Sequence, residues 1–316
     1  MDILYNVFVD PFVQMYDSPL FVLETVISGL MAGVMYALVA LGFVLIFKAS
    51  GIFNFAQGVM ALFAGLTLVG LMEKLGVPAW AAIAMTIGVM IVLAWLIERM
   101  VLQHLVNQDP IILFMSTIGL AYVLEGVGDI MWGSDVKMLE IGIPQGALGW
   151  LLDDYGLYVE KLEIVAAITA AVLVTVLAIF FSKTRIGRAL RAVADDHQAA
   201  LSVGISLRTI WVIVWSVSGI VALVAGIMWG SKSGVQFSLS LIALKALPVL
   251  ILGGFTSIPG AIVGGLIIGV GEKLAEIFWG PLLGGAIENW FAYMLALAFL
   301  LVRPQGLFGE KIIERV

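Results

Sequence analysis

The chain has 316 residues, 62% of them hydrophobic and only 12% charged, a composition outside the soluble range and matched by proteins that cross a membrane many times. Its net charge of −6, with most arginines confined to one segment, leaves no basic face for nucleic acid. With no cysteine and only His104 and His197, disulfides, thiolate nucleophiles and a histidine-built metal centre are excluded.

The first 18 residues contain Asp2, Asp10 and Asp17 and lack a basic-then-apolar leader, so the first span is expected to target the protein. A crossing needs about 20 apolar residues at 1.5 Å each. Residues 19–47 exceed that and read as one tilted or broken helix, with Gly29, Gly33 and Gly42 open to close packing. A second span follows to Met72, a third covers 78–97, and a fourth covers 110–132. The fourth carries Glu125 and Asp129 on one face toward its outer end, where they read as solvated or capping carboxylates. Residues 133–163 are too long and acidic for a tight turn and are assigned to the outside. Residues 164–181 and 211–229 are the fifth and sixth spans. Residues 239–254 are short and contain Lys245 and Pro248, so a broken or re-entrant segment fits as well as a full span, with Lys245 snorkelling toward a headgroup. Residues 258–278 and 287–302 complete an all-α, polytopic membrane protein of eight or nine transmembrane helices, with broken or re-entrant segments. The chain reads as one domain over 1–316, with its membrane region at 19–302.

Lysine and arginine favour the cytoplasmic side. With the N-terminus outside and nine crossings, the inside holds Lys48, Arg99, Lys183, Arg185, Arg188, Arg191, Arg208, Arg303, Lys311 and Arg315, against Lys74, Lys137, Lys161, Lys232 and Lys273 outside. The loop at 183–208 decides this orientation. Within it, Asp195 can accept hydrogen bonds from the first free amides of a helix, Gln198 can reach back, and Gly204 can supply a left-handed stop. A two-turn helix over 197–203 is thereby marked at both ends. So short a helix, showing Ala199, Ala200, Leu201 and Val203, needs a partner surface for stability unless it merely caps the bundle.

No Gly-x-x-x-x-Gly-Lys-Ser/Thr loop, catalytic triad or dinucleotide-binding glycine pattern occurs, so the chain is neither an ATPase nor another enzyme, and needs no cofactor. Asn54 and Gln57 lie beside Phe55 at a membrane boundary. They either cap a broken helix or line a path for a polar solute. Thr256 and Ser257, within the glycine-rich run from Leu252 to Gly269, carry the same pair of readings, and there tight packing is the simpler one. All four polar groups are neutral, which suits a small net-neutral cargo.

Gln198-Ala199-Ala200 followed by Gly204 resembles the Glu-Ala-Ala-x-x-x-Gly motif of the membrane subunits of ABC importers, with Gln in place of Glu. Asn54-Phe55-Ala56-Gln57-Gly58 resembles the Asn-Phe-Ala-(His/Gln)-Gly signature of branched-chain amino acid importer permeases. Leu252-Gly253-Gly254 through Ser257-Ile258-Pro259-Gly260, and Thr184-x-x-Gly187-Arg188-x-x-Arg191-Ala192, are similar to stretches of the same family. The resemblance implies a type II-like importer membrane domain in the bacterial or archaeal cell (inner) membrane. It further implies a heterodimer with a second homologous permease, two ATP-binding subunits and an extracytoplasmic solute-binding protein. The short helix would be the coupling helix that docks on an ATPase, through Asp195, Gln198, Ala199, Ala200, Leu201 and Gly204. Urea or short amides remain alternative cargoes. A stand-alone channel or secondary carrier is the rival class and would call for intramembrane charge pairs or an inverted repeat, while a membrane scaffold would leave these motifs without a role.

The orientation is open to a direct test in this cysteine-free chain. Gln198→Cys is expected to resist a membrane-impermeant maleimide in intact cells and to react after permeabilisation; labelling of intact cells would reverse the topology.

Overall fold

A computed structural model describes residues 2–105, 108–195 and 197–309. Lys311 and Arg315, counted above for orientation, lie outside the described residues. Among these residues there are helices and two isolated bridges but no strand. In chain order the helices are α1 (Asp2–Phe8), α2 (Asp10–Asp17), α3 (Pro19–Ser50), α4 (Gln57–Leu75), α5 (Ala79–Met100), α6 (Pro110–Trp132), α7 (Gly149–Tyr155) and α8 (Lys161–Lys183). They continue as α9 (Arg185–Asp195), α10 (His197–Ser202), α11 (Leu207–Ser233), α12 (Ile242–Gly253), α13 (Ile258–Phe278), α14 (Gly280–Leu283) and α15 (Glu288–Val302).

Six helical spans, Pro19–Ser50, Gln57–Leu75, Ala79–His104, Pro110–Trp132, Lys161–Lys183 and Leu207–Ser233, are long and apolar enough to cross a membrane. The pair Phe237–Gly253 and Ile258–Phe278, bent by 112°, makes a seventh if it is taken as one broken span. The expected count of eight or nine is therefore not reached by length and composition, although every apolar segment is helical. The difference lies in short pieces: the 12 residues of α12 reach about 18 Å and the 15 of α15 about 22 Å, below the roughly 30 Å of hydrocarbon. Residues 19–50 form one unbroken helix.

The chain divides into two compact units. One takes residues 38–142 and 170–243 and is built around α4, which is buried from Gln57 to Leu71 and packs on α5, α6 and α11. Its apolar residues run round the whole helix, as a span surrounded by others requires. Glycines set the distances: a Cβ on Gly226 of α11 would sit 2.5 Å from the Ala61 carbonyl of α4, and one on Gly70 would overlap the Trp132 indole of α6. Gly76, at φ +64, ends α4 in the left-handed conformation.

The other unit takes residues 1–37 and 143–169 and the chain from Leu244 onward. Its centre is α13, which presents glycines on two sides. Gly265 and Gly269 meet Gly33 and Gly29 of α3 backbone to backbone, while Gly260 and Gly264 meet Gly253 and Val249 of α12. Without a hydrophobic drive between helices in lipid, such contacts hold spans together through close van der Waals packing. Trp279, after α13, donates from its indole to the Val7 carbonyl at 2.9 Å and packs edge-on against Phe12, which fastens α1 and α2. The segment after α15 returns to α12: Leu307 N donates to Leu252 O at 2.8 Å and Phe308 N to Gly253 O at 3.1 Å.

A Gly265→Leu chain is expected to lose the α3–α13 contact, because its side chain would enter the Gly33 carbonyl. Overpacking of this kind costs about 1–3 kcal/mol. The check is thermal unfolding in detergent micelles, where Gly271→Leu, whose Cβ meets only side-chain atoms at 3.1 Å or more, should cost less.

Candidate functional site

The break between α3 and α4 falls on residues 51–56. Gly51 turns the chain at φ +67, and Asn54 then accepts from Ala56 N at 3.1 Å through its side-chain oxygen, which fixes the start of α4. The Thr117 hydroxyl of α6 accepts from Phe55 N at 3.1 Å and lies 3.2 Å from the Phe53 carbonyl. Phe53 stacks on Phe43 at 5.1 Å between ring centres. Polar backbone freed by the break thus finds partners inside the protein, as it must at membrane depth.

Gln57 enters a space that Gly42 leaves open on α3. Its carbonyl oxygen accepts from the Ser218 hydroxyl of α11 at 2.9 Å and lies 3.4 Å from the Asn54 amide nitrogen, while its own nitrogen reaches Ser218 O at 3.5 Å. Asn54 is 0% exposed and Gln57 1%, so the two amides form a closed polar knot across α3, α4 and α11, while Gly51 and Phe55 of the break are exposed. Of the two readings of these amides, the geometry supports the capping one. Ser218 escaped notice in the sequence, although Ser216 and Ser218 inside the apolar run of α11 were the available sign; Gly42 was read there only as open to close packing.

Ser257 caps α13 by accepting from Gly260 N at 3.0 Å, and Thr256 beside it is half-buried. They belong to the unit of α12 and α13, whereas Asn54 and Gln57 belong to the other.

At the loop between α8 and α11, Thr184 accepts from Gly187 N at 2.9 Å and so starts α9, while its hydroxyl donates to Phe180 O at 2.6 Å. The Arg191 guanidinium closes the turn by donating to Phe181 O at 2.7 Å, a cation on the negative end of α8. Gly187 is required because a Cβ there would strike the carbonyls of Phe180 and Phe181. The short helix is α10, His197–Ser202. Ile205 N donates to Ala200 O at 3.0 Å and Gly204 N to Leu201 O at 3.0 Å, the paired bonds of a Schellman stop, with Gly204 at φ +84. Asp195 ends α9, and its reach to α10 crosses residue 196, outside the described residues, as does the His197 side chain. Ala200 is buried, with α10 packed on α9 and α11, while Gln198 and Ala199 are exposed. Leu201 and Val203 are 53% and 73% exposed, so they supply the apolar face that α10 offers outward.

Two ion pairs each bury a carboxylate, beside the neutral polar groups named from the sequence. Glu98, at the end of α5, is buried and accepts from Arg208 Nε at 3.0 Å. Lys245 does not reach away to a headgroup: its Nζ lies 3.0 Å from Glu272 and 3.6 Å from Glu288, over the Tyr36 ring. Both pairs join positions distant in sequence, so periodicity held no sign of either.

Replacing Ser218 with Ala removes the hydroxyl that serves Gln57. Hydrogen bonds of this kind between membrane helices contribute about 0.6–2 kcal/mol. A fall in thermal stability of that size is expected, with Ser216→Ala, whose hydroxyl only back-bonds to Val212 O, as the neutral comparison.

Residues 25–303 match the family model described as branched-chain amino acid transport system / permease component. The high-affinity branched-chain amino acid transport system permease protein BraD of Pseudomonas aeruginosa is 29% identical over 304 residues, covering 93% of this chain and 98% of BraD. LivH of Escherichia coli K12, described in the same words, is 28% identical over 313 residues, which is 96% of this chain and all of LivH (100%). A probable branched-chain amino acid transport permease protein, LivH of Methanocaldococcus jannaschii, is 28% identical over 285 residues, or 86% of this chain and 88% of its own. Transport subunits rather than enzymes make up this set, and the apolar helices here are those of a multi-pass membrane protein. The chain belongs to the family of branched-chain amino acid transport system permease components.

Proposed function

We propose that this chain is the permease subunit of an ATP-driven importer of small net-neutral amino acids, with branched-chain amino acids as cargo, in the cell (inner) membrane. Two ATP-binding subunits, a second homologous permease and an extracytoplasmic solute-binding protein complete the transporter. The observation that carries the reading is α10. It is a preformed, stopped helix with Leu201 and Val203 outward, on the most basic loop of the chain, and an exposed apolar end of that kind fits a groove on another protein.

In this reading the loop at 183–208 lies inside, 133–163 lies outside, and residues 1–316 form one permease domain with its membrane region at 19–302. Closure of the ATPases on ATP pushes α10, and the push passes to α9, on which α10 packs, and to α8 through the Thr184 and Arg191 bonds. Sites on the outer side of α10 make the contact, Leu201 first, with Gln198 and Ala199 beside it. Asp195, Ala200 and Gly204 set its shape. Asn54 and Gln57 hold the α3–α4 break closed in the state described and line the path when that break moves, with Phe55 exposed at its edge; Thr256 and Ser257 do the same at the second break.

The assembled transporter in vesicles is expected to take up labelled leucine with substrate-stimulated ATP hydrolysis and to leave urea outside. Leu201→Asp and Gly204→Val should each reach the membrane and lose that stimulation, the first by burying a lone carboxylate and the second because a β-branched residue resists positive φ. Leucine-stimulated hydrolysis at the unmodified rate in both would remove the coupling role of α10, and uptake of urea without leucine would overturn the cargo.

A further inference from the structure

Glu272 is the most enclosed of the described charged residues of its unit, 0% exposed, and no motif accounts for it. Its Oε1 accepts from the Tyr36 hydroxyl at 2.7 Å and from Lys245 Nζ at 3.0 Å. Its Oε2 is buried and has no hydrogen-bond partner among the described residues. Lys245 keeps 21% of its side chain exposed and has a second carboxylate, Glu288, at 3.6 Å, which in turn meets Lys273 at 3.2 Å. The remaining acid nearby, Glu276, is occupied: its two oxygens accept from Ala286 N at 2.8 Å and Glu288 N at 2.9 Å, at the start of α15. The group therefore balances two cations with two carboxylates and leaves one buried acceptor unused.

We propose that Lys245 and Glu272 form a recognition site for a zwitterion, the α-ammonium of an amino acid going to Glu272 Oε2 and its α-carboxylate to Lys245 Nζ. The proposal rests on the amino acid reading above and deepens it. A zwitterion crossing a membrane must shed water from both charges, and a site with one charge of each sign receives both without leaving any ion alone. Tyr36 holds Oε1, so the carboxylate keeps its orientation while Lys245 turns to the cargo, and Glu288 remains beside Lys245 throughout. Urea or a short amide carries no charge and has no use for such a pair. A site of fixed single sign would instead suit an ion.

The test uses the assembled transporter in vesicles, with labelled leucine as the probe and substrate-free ATP hydrolysis and subunit content as controls. Glu272→Gln and Lys245→Met are each expected to lower leucine uptake by about tenfold or more, the scale of losing one partner of a buried pair. The double variant decides between recognition and scaffolding, since it removes both charges and leaves none unpaired. It should assemble and hydrolyse ATP at the unmodified basal rate while its leucine uptake stays lost; uptake restored in the double variant would overturn the proposal. Should the double variant fail to assemble, Lys245→Arg with Glu272→Asp, which keeps both charges at altered reach, should raise the KM for leucine with little change in maximal rate, and an unchanged KM would overturn it. Absence of leucine uptake by the unmodified transporter would instead count against the cargo reading itself.

Discussion

Backbone polar groups inside a membrane need partners within the protein, and four helix ends among the described residues show how this chain supplies them. Each stop is met by a specific neighbour. Asn54 and Thr117 serve the break before α4; Ser257 and the returning 306–309 segment serve the turn between α12 and α13. Thr184 and Arg191 serve the end of α8, and both oxygens of Glu276 serve the start of α15. The family-like motifs fall on three of these four points. Much of what they specify is therefore the geometry of interruption.

Glycines supply the complementary constraint. In α13 the pairs Gly260 with Gly264 and Gly265 with Gly269 recur at four-residue spacing, and neighbouring pairs face different helices because successive residues turn by 100°. One helix thereby serves two backbone-to-backbone contacts. Any side chain at these positions would force α3 or α12 outward, and that sensitivity suits a unit whose bent pair must keep its angle.

Much of this was legible in the sequence, and the limits have physical causes. The apolar runs, the glycine stop at Gly204 and the α10 helix are local features, set by composition and by the φ angles that side chains allow. The polar knot at Gln57 was half visible: the amides stand out among apolar neighbours, but their partner Ser218 comes 161 residues later. Lys245 was misread because its partner Glu272 is 27 residues away across a sharp bend, and an isolated lysine beside a proline has the composition of a snorkelling cation. Length and composition support six or seven crossings rather than the eight or nine expected, because hydropathy registers a 12-residue apolar helix such as α12 without registering that it spans only part of the hydrocarbon.

The return of residues 306–309 to α12 has a practical side. Gly306 packs its backbone against Gly254 at φ +78, and a Cβ on Gly309 would run into the Gln305 carbonyl, so this short segment is a fitted plug. Affinity tags and fluorescent reporters joined directly after Val302 would replace that plug with foreign chain and take from the Leu252 and Gly253 carbonyls the donors that Leu307 and Phe308 supply. Fusions therefore belong beyond Gly309, and a nested set of C-terminal truncations should show a sharp boundary there, with abundance in the membrane dropping as the plug is cut into.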